Sequence, residues 1–482
     1  MKQDPEEHGP EQLTRLERQL RRELDMLCLP AKPWVHPRSH DGQAVVDVLV
    51  VGAGMCGLTA TAALQLLGVD KVRVIDRAPS GAEGPWVTFA RMQTLRSPKI
   101  LAGPALGLPS LTFRAWFEAL FGTPAWDRLD KIPRPMWMDY LNWYRAVLGI
   151  QVDNDTALTG ITGRDDGMLD VMLHGPRGDE RVTARRVVLA NGRDGLGGAY
   201  VPPIADALPK RYWSHTSDAI DFGALRGKRV AVIGAGASAM DNAATALEQG
   251  AASVDLFVRR TDIPRINKLT GISNPGLVHG FLGLADEWKW KLQSYSISTH
   301  PPPPRDSTLR VSRHANARFH VGSPLLSLSI DATGAVALAT PKGHYQLDHI
   351  IFGTGFCQDL ALRPELAALA PHIKRWQERY PAGAEDGPAE LRESPDLGPI
   401  FEFQSKGAPQ PGLASIHCFN YAAMLSHGKV SGDIPAVSTG AQRLAAGIAE
   451  RFFQEDIALH YRDMENYDVA ELQGDEWTDA DA

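Results

Sequence analysis

The chain has 482 residues, too many for one simple core, so two domains are the expectation. Its composition, 44% hydrophobic and 22% charged, is that of a globular protein, and a formal net charge of −7 gives no sign of the basic surface that a nucleic-acid partner favours. Four cysteines (Cys28, Cys56, Cys357, Cys418) stand far apart without a C-x-x-C, so neither a zinc site nor a disulfide framework is indicated and a reducing cytoplasm is the expected setting.

In chain order, Met1-Lys2-Gln3-Asp4-Pro5-Glu6-Glu7 carries no apolar run and does not read as a signal peptide. From residue 11 to 28, Leu13, Leu16, Leu20, Leu24 and Leu27 recur at spacings of three and four, one face of an amphipathic helix. The plain reading is a helix strapped onto the body; a dimer-forming helix is the alternative, so a homodimer stays open. Pro30, Pro33 and Pro37 end it. The longest apolar stretch, around 44–69, is broken by glycines and fits strand-turn-helix better than a membrane span.

That turn is Gly52-Ala53-Gly54-Met55-Cys56-Gly57, after the run Val48-Leu49-Val50-Val51. Gly52 allows the tight turn, Gly54 lets backbone approach a pyrophosphate, and Gly57 lets helix and strand pack closely. The phosphates would sit on free N–H groups at the positive end of the helix dipole. The next strand, Val72-Arg73-Val74-Ile75, ends at Asp76, followed by Arg77. An acid about 20 residues past the glycines accepts hydrogen bonds from ribose hydroxyls and repels a 2′-phosphate.

Residues 85–145 are rich in tryptophan and proline and read as loops and short helices, with a firmer helix near Met136 to Leu148. The stretch 168–190 alternates like hairpin strands, and a linker runs from Asp194 to Pro209. The strand-turn-helix pattern then recurs, in register, as Val230-Ala231-Val232-Ile233 and Gly234-Ala235-Gly236-Ala237-Ser238-Ala239. After its second strand, Val254-Asp255-Leu256-Phe257, Val258 takes the place of Asp76 and Arg259 and Arg260 follow. A guanidinium pairs with a phosphate through two parallel hydrogen bonds, which points to NADPH rather than NADH. A solvated strand end is the alternative reading of the two arginines. Pro301 to Pro304 reads as an exposed polyproline connection, strands are expected near 336–340 and 347–352, and a helix from Val437 to Phe453. After Arg462 only acids carry charge, which predicts a solvated tail, with an acidic docking segment as the alternative.

The two turns and Asp348-His349-Ile350-Ile351-Phe352-Gly353-Thr354-Gly355-Phe356 occur in the order seen in class B flavoprotein monooxygenases, which the chain resembles over about residues 45–455. The last segment is similar to the D-x-x-x-(L/F)-A-T-G-(Y/F) signature of the N-hydroxylating branch, with Gly353 in place of Ala. Gly84-Pro85-Trp86 is similar to a G-G-T-W run after the first ribose acid. Ser431-Gly432-Asp433-Ile434-Pro435 is similar to the turn with which such proteins hold the ribityl chain, although plain helix capping would also use Asp433. The fingerprint F-x-G-x-x-x-H-x-x-x-(W/Y/F) is broken: His215 is in place, but Pro209, Arg211 and Ala219 occupy the other positions. That speaks against a standard Baeyer–Villiger or flavin-containing member and makes His215 a buried, hydrogen-bonded structural residue.

The resemblance implies an α/β fold of two Rossmann-like dinucleotide-binding domains, the NADPH domain inserted into the FAD domain. The expected division is a helical extension (1–43), the first part of the FAD domain (44–205), the NADPH domain (206–346), the rest of the FAD domain (347–456) and an acidic tail (457–482). It implies FAD held by Gly52, Gly54, Gly57, Asp76, Arg77, Trp86, Gly353, Thr354, Gly355 and Asp433, and NADPH held by Gly234, Gly236, Ser238, Arg259 and Arg260. NADPH would pass hydride to the flavin, and reduced flavin with O2 would form a C4a-hydroperoxide that oxygenates a small nitrogen or sulfur nucleophile. Asn267 and Lys268 are the candidates to contact the nicotinamide or the peroxide, an ordinary surface loop being the alternative. The segments Trp86 to Trp143 and Gly271 to Tyr295 are candidate pocket walls. A non-oxygenating flavin reductase and a binding protein without turnover are the competing functions.

Overall fold

Two aliphatic, β-branched runs become the central strands of two sheets. Val46–Val51 lies parallel between Val72–Ile75 and the end of Gly178–Leu189. Leu169–Gly175 and Ala157–Gly163 continue that sheet antiparallel, and Ile416–Cys418 pairs parallel with Val187 to Leu189. Arg229–Ile233 centres the second sheet between Ser253–Phe257 and His349–Phe352, with Ala317–His320 and Trp213–His215 outermost, all parallel. Val48 to Val50 and Val230 to Val232 are wholly buried, as strands covered on both faces require. The computed structural model describes residues 9–381 and 388–481, so the N-terminal stretch read against a signal peptide lies outside the described residues. Among the described residues no helix is long and apolar enough to cross a membrane.

The chain crosses between the sheets twice. Gly197–Ala199 leaves after the carboxyl end of Gly178–Leu189, Phe356–Gln358 after that of His349–Phe352, and the two segments pair antiparallel. This ribbon joins the sheets at their carboxyl ends, which is where both Gly-rich turns sit. It also corrects both expected domain boundaries. Ala205 and Leu208 belong to the core around the second sheet, and His349–Phe352 is one of its inner strands, so the inserted domain runs from about residue 200 to 355. The boundaries at 205/206 and 346/347 cut through it because sequence shows an apolar run but not which sheet it joins.

The N-terminal helix, Pro10–Met26, buries Leu16 and Leu20 against the first domain, with Leu13 and Leu24 at the margin and Leu27 outside. Glu17 accepts from Trp143 Nε1 at 3.2 Å and Glu23 from Ser110 Oγ at 2.6 Å. The apolar face is thus covered within the chain, as the strap reading has it. Trp116, Trp126, Trp137 and Trp143 pack with Phe113, Tyr140 and Tyr144 in the core of the same domain. The expectation that the whole Trp86 to Trp143 segment walls a pocket is therefore corrected: most of its large rings fill the interior. Pro303 is buried, so Pro301 to Pro304 is not the exposed connection expected. Residues 457–465 of the expected tail form a helix, Ile457–Glu465.

One strand carries a misfit. Asp47 is fully buried between apolar neighbours on Val46–Val51, and neither carboxylate oxygen has a hydrogen-bond partner. Burial pushes its pKa up to about 6, against the pull of Arg185 and Lys71 and with the push of Asp70 and Asp456. The folded state favours the protonated form, so this group's contribution is full at low pH and is lost as pH rises through about 6. Asp47→Asn should therefore stabilise the protein by up to about 3 kcal/mol above about pH 6, the effect fading to little below about pH 3.8. Urea midpoints measured below pH 3.8 and above pH 6 check both sign and window.

Candidate functional site

The first turn is built on close backbone approach. Gly52 has φ 103°, and a Cβ there would stand 2.7 Å from the Ala190 carbonyl oxygen. A Cβ at Gly57 would come within 1.7 Å of the Gly52 oxygen. The helix Met55–Leu66 starts at Gly54 with no side chain capping it, so its leading N–H groups are available to an anion. Asp76 closes the far side: its carboxylate accepts from the N–H of Ala53 at 2.7 Å and of Ala78 at 2.8 Å, which fixes it beside the turn. Burial raises its pKa while those two N–H groups pull it down. These residues fit the pyrophosphate and ribose of a dinucleotide.

Gly84 packs on Gly54, a Cβ on the latter lying 3.8 Å from its Cα, so the Gly84-Pro85-Trp86 run lies against this turn as expected. Its anchor is Glu83, which sequence reasoning missed. Glu83 is buried and accepts from Arg145 Nη1 at 2.9 Å, Asn154 Nδ2 at 2.7 Å and the Gly81 N–H at 2.8 Å. No local pattern marks it, because its side-chain partners lie more than sixty residues on. Ser431 accepts through its carbonyl from Cys56 Sγ at 3.4 Å, and the charge of Asp433, after burial, helps push the Cys56 thiol up to about 12. Asp433 therefore sits near the first turn of the cradle helix. It does not cap Val437–Glu455, whose N-cap is Ala436, and it pairs with Lys429 at 3.5 Å. Arg77 is largely exposed, 3.6 Å from Asp194 at the rim.

The second turn meets the same crowding with the residues exchanged. Ala190 N–H donates to Val51, and Gly353 N–H donates to Ile233, so Ala190 and Gly353 hold equivalent places. In the first domain Gly57 faces Ala190; in the second Ala239 faces Gly353, where a Cβ would stand 2.6 Å from the Ala239 Cβ. Gly353 is thus required by packing, the departure from the family alanine being matched by Ala239. Gly234 has φ 125°, and the helix Ala237–Glu248 starts at Gly236, again with no side-chain cap; Ser238 is exposed on its first turn. Asp348 clamps the strand start, accepting from the Arg229 N–H at 2.7 Å and from Arg229 Nη2 at 2.8 Å. Thr354 Oγ1 donates to the Tyr200 carbonyl, and Tyr200 N–H to the Gly355 carbonyl at 2.9 Å, locking the two crossings together. His215 is buried, bonded through Nδ1 to Ser217 Oγ at 2.7 Å and edge-on to Phe356 at 5.7 Å. It is the structural residue expected, and burial lowers its pKa.

Val258 stands where Asp76 does: its N–H donates to His320 O, as Asp76 N–H does to Asp153 O, each at 3.0 Å. Arg259 is exposed and Arg260 donates to the Ser298 carbonyl at 3.0 Å. His300 joins them unannounced by sequence, its pKa lowered by burial and then by both arginines. This end of the second sheet gathers Arg259, Arg260 and His300 where the first has Asp76, and it fits a 2′-phosphate. The two domains also touch beside the turns. Arg310 pairs with Asp241 of the second cradle helix at 3.2 Å and donates to the Arg91 carbonyl of the first domain at 3.3 Å, and the Arg91 guanidinium lies over Phe222 at 5.5 Å. A pocket of about 340 Å³ between them is lined by Gln93, Arg96, Lys131, Ser307 and Arg310.

The pyridine nucleotide-disulphide oxidoreductase family matches residues 49–273. The FAD-dependent urate hydroxylase of Xanthomonas campestris pv. campestris is 41% identical over 466 residues, covering 96% of this chain and 98% of that protein. The chain belongs to this family of FAD-dependent hydroxylases. The fold is shared more widely. Ornithine hydroxylase from Pseudomonas aeruginosa (16% identity, TM-score 0.66) and L-lysine 6-monooxygenase from Pseudomonas syringae (19%, TM-score 0.65) each superpose over 84% of this chain and 99% of their own. At those identities they show the fold alone.

For an FAD-dependent hydroxylase of this kind, FAD and NADPH are the two cofactors. Asn267 and Lys268 are less defined: Asn267 is half-buried, Lys268 exposed, and neither side chain forms a hydrogen bond within the described residues. They begin a segment that reaches back to the first domain, where Val278 packs on its core and Phe281 touches Gly428. Of the expected wall Gly271 to Tyr295, Trp290 is buried against Trp376 instead.

Two variants test the site. Gly353→Ala should destabilise by about 1–3 kcal/mol through overpacking, and adding Ala239→Gly should recover most of that loss, read as non-additivity in chemical denaturation. Replacing Arg259 and Arg260 together by Ala should raise the KM for NADPH about 10- to 100-fold, the worth of charge-assisted hydrogen bonds, while that for NADH changes little.

Proposed function

We propose that this chain is an NADPH- and O2-dependent hydroxylase of urate, or of a closely related oxidised purine. One observation carries the substrate: the 41% identity to a urate hydroxylase runs over nearly the full length of both chains, including both cradles and the segments between them. The nitrogen or sulfur nucleophile expected from sequence gives way to an electron-rich, anionic heterocycle. Arg310 is held by Glu248 at 2.8 and 2.7 Å and by Asp241 at 3.2 Å, whereas Arg91 and Arg134 stand at the contact between domains with pKa values lowered by burial. Guanidinium groups of that kind suit the oxyanion and imide edges of such a ring.

In the balanced reaction, NADPH, a proton, O2 and substrate give NADP+, water and hydroxylated product, one oxygen atom going to each of the last two. FAD, when bound, supplies the redox chemistry by taking hydride and passing electrons to O2. The chain's own work is placement. Gly52, Gly54 and Gly57 admit the flavin dinucleotide's pyrophosphate, Asp76 takes its ribose, and Gly84 to Trp86 with Asp433 close over it. Gly234, Gly236 and Ser238 admit the nicotinamide dinucleotide, with Arg259 and Arg260 on its 2′-phosphate. The Thr354–Tyr200 and Tyr200–Gly355 bonds hold the two crossings together, and the segment from Asn267 to Phe281 returns to the first domain, where Val278 packs on its core. Four free thiols among the described residues suit a cytoplasmic site.

The yellow protein should oxidise NADPH and consume O2 in proportion to urate supplied, with loss of the urate absorbance and little peroxide released. Equal rates without urate, with all oxygen recovered as peroxide, would leave a non-oxygenating reductase. Stoichiometric hydroxylation of ornithine or lysine in place of urate would move the chain to the amine-hydroxylating class.

A further inference from the structure

We propose that the protein carries a divalent transition-metal site, of the kind zinc occupies, formed by His36, His460 and Asp463 on the face away from the cofactor cleft. The site fastens the helix Ile457–Glu465 to the strap that follows the N-terminal helix. Among the described residues these form the one trio of histidine, cysteine or carboxylate groups whose ligand atoms all lie within 4.8 Å of each other. His36 Nε2 is 3.0 Å from Asp463 Oδ2, and the two imidazoles stand 4.7 Å apart at 54°. The Nε2 atoms of His36 and His460 are both buried; that of His36 already pairs with the Asp463 carboxylate, and that of His460 has no hydrogen-bond partner among the described residues.

Two imidazoles and a carboxylate that converge on one point are a donor set that a cation would complete. Ligand atoms about 2.1 Å from a tetrahedral ion stand roughly 3.4 Å apart, so the observed spacing needs only a small rotation. Asp463, 64% exposed, is free to make it. Two neutral imidazoles and one carboxylate are a donor set for Zn2+, and water would complete the four positions. Phe453 stacks on His460 at 4.7 Å and Trp34 stands 5.9 Å from it, which fixes the orientation of the imidazole on its other flank.

The helix needs such a tie. Ile457–Glu465 buries none of its nine residues, and a helix that short is marginal by itself. His460 and Asp463, three residues apart, share one face of it. The strap opposite is firmly held: Trp34 Nε1 donates to the Leu67 carbonyl at 2.7 Å and Ala31 N–H to the Leu66 carbonyl at 3.0 Å. Those carbonyls end the helix of the first cradle, so the ion would join the C-terminal helix to the element that carries the flavin turn. Sequence could not show this, because His36 stands more than four hundred residues from its partners.

Untagged, FAD-loaded protein stripped with chelator should be titrated with Zn2+ alone, in competition with a chromophoric chelator, and with Co2+ as a spectroscopic probe. Expected are one Zn2+ per chain at micromolar free metal, a four-coordinate Co2+ visible band displaced by Zn2+, and slower hydrogen exchange over residues 457–465 with metal bound. His460→Gln and Asp463→Asn should lose the Co2+ band and the exchange protection while FAD content and far-UV circular dichroism are unchanged. His174→Gln, which alters an ordinary exposed His–Asp pair, should keep both. Wild-type protein that binds no metal at micromolar concentration, or variants that bind it as well as wild type, would overturn the proposal.

Discussion

Both cofactor turns depend on a strand, a loop and a helix meeting closer than ordinary side chains allow. The crowding is resolved by one glycine at each contact, on opposite partners: Gly57 against Ala190 in the first domain, Gly353 against Ala239 in the second. Everything that makes the turns useful follows from that approach. It leaves the leading N–H groups of two helices without a side-chain cap, where the helix dipole favours phosphate. It also sets Asp76 within reach of the Ala53 N–H, so the ribose acid is oriented by the turn it serves.

Two such turns make a hydride-transfer enzyme only if they share a cleft. The paired crossings Gly197–Ala199 and Phe356–Gln358 bring the carboxyl ends of both sheets together, and open α/β sheets bind ligands at that edge. The Thr354 hydroxyl and the Tyr200 and Gly355 backbones tie the crossings, and His215 packs edge-on to Phe356 beside them. The segment from Asp348 to Phe356 is therefore a crossing between the sheets and a packing surface. The substitution of glycine for its usual alanine is read correctly only together with Ala239.

Much of this was legible in the chain. Each turn announces itself because its glycines, its flanking strands and the residue ending the next strand are all local, so Asp76 and Val258 take their places by counting. Other features were not. The tryptophans between residues 86 and 143 carry no label separating core from pocket wall, and the structure buries most of them. Glu83, Arg145 and Asn154 form one network from three distant segments. His300 reaches the arginine pair only because the chain returns to that sheet edge. The strand His349–Phe352 looks the same in sequence whichever sheet it joins, which displaced the domain boundary.

By itself the sequence determined the two Gly-rich strand-turn-helix units, since each rests on residues within one local stretch. Tertiary structure alone decided which sheet each late strand enters, how the two crossings pair, and which histidines meet across the molecule. Those outcomes depend on contacts between segments hundreds of residues apart, and no local spacing encodes them.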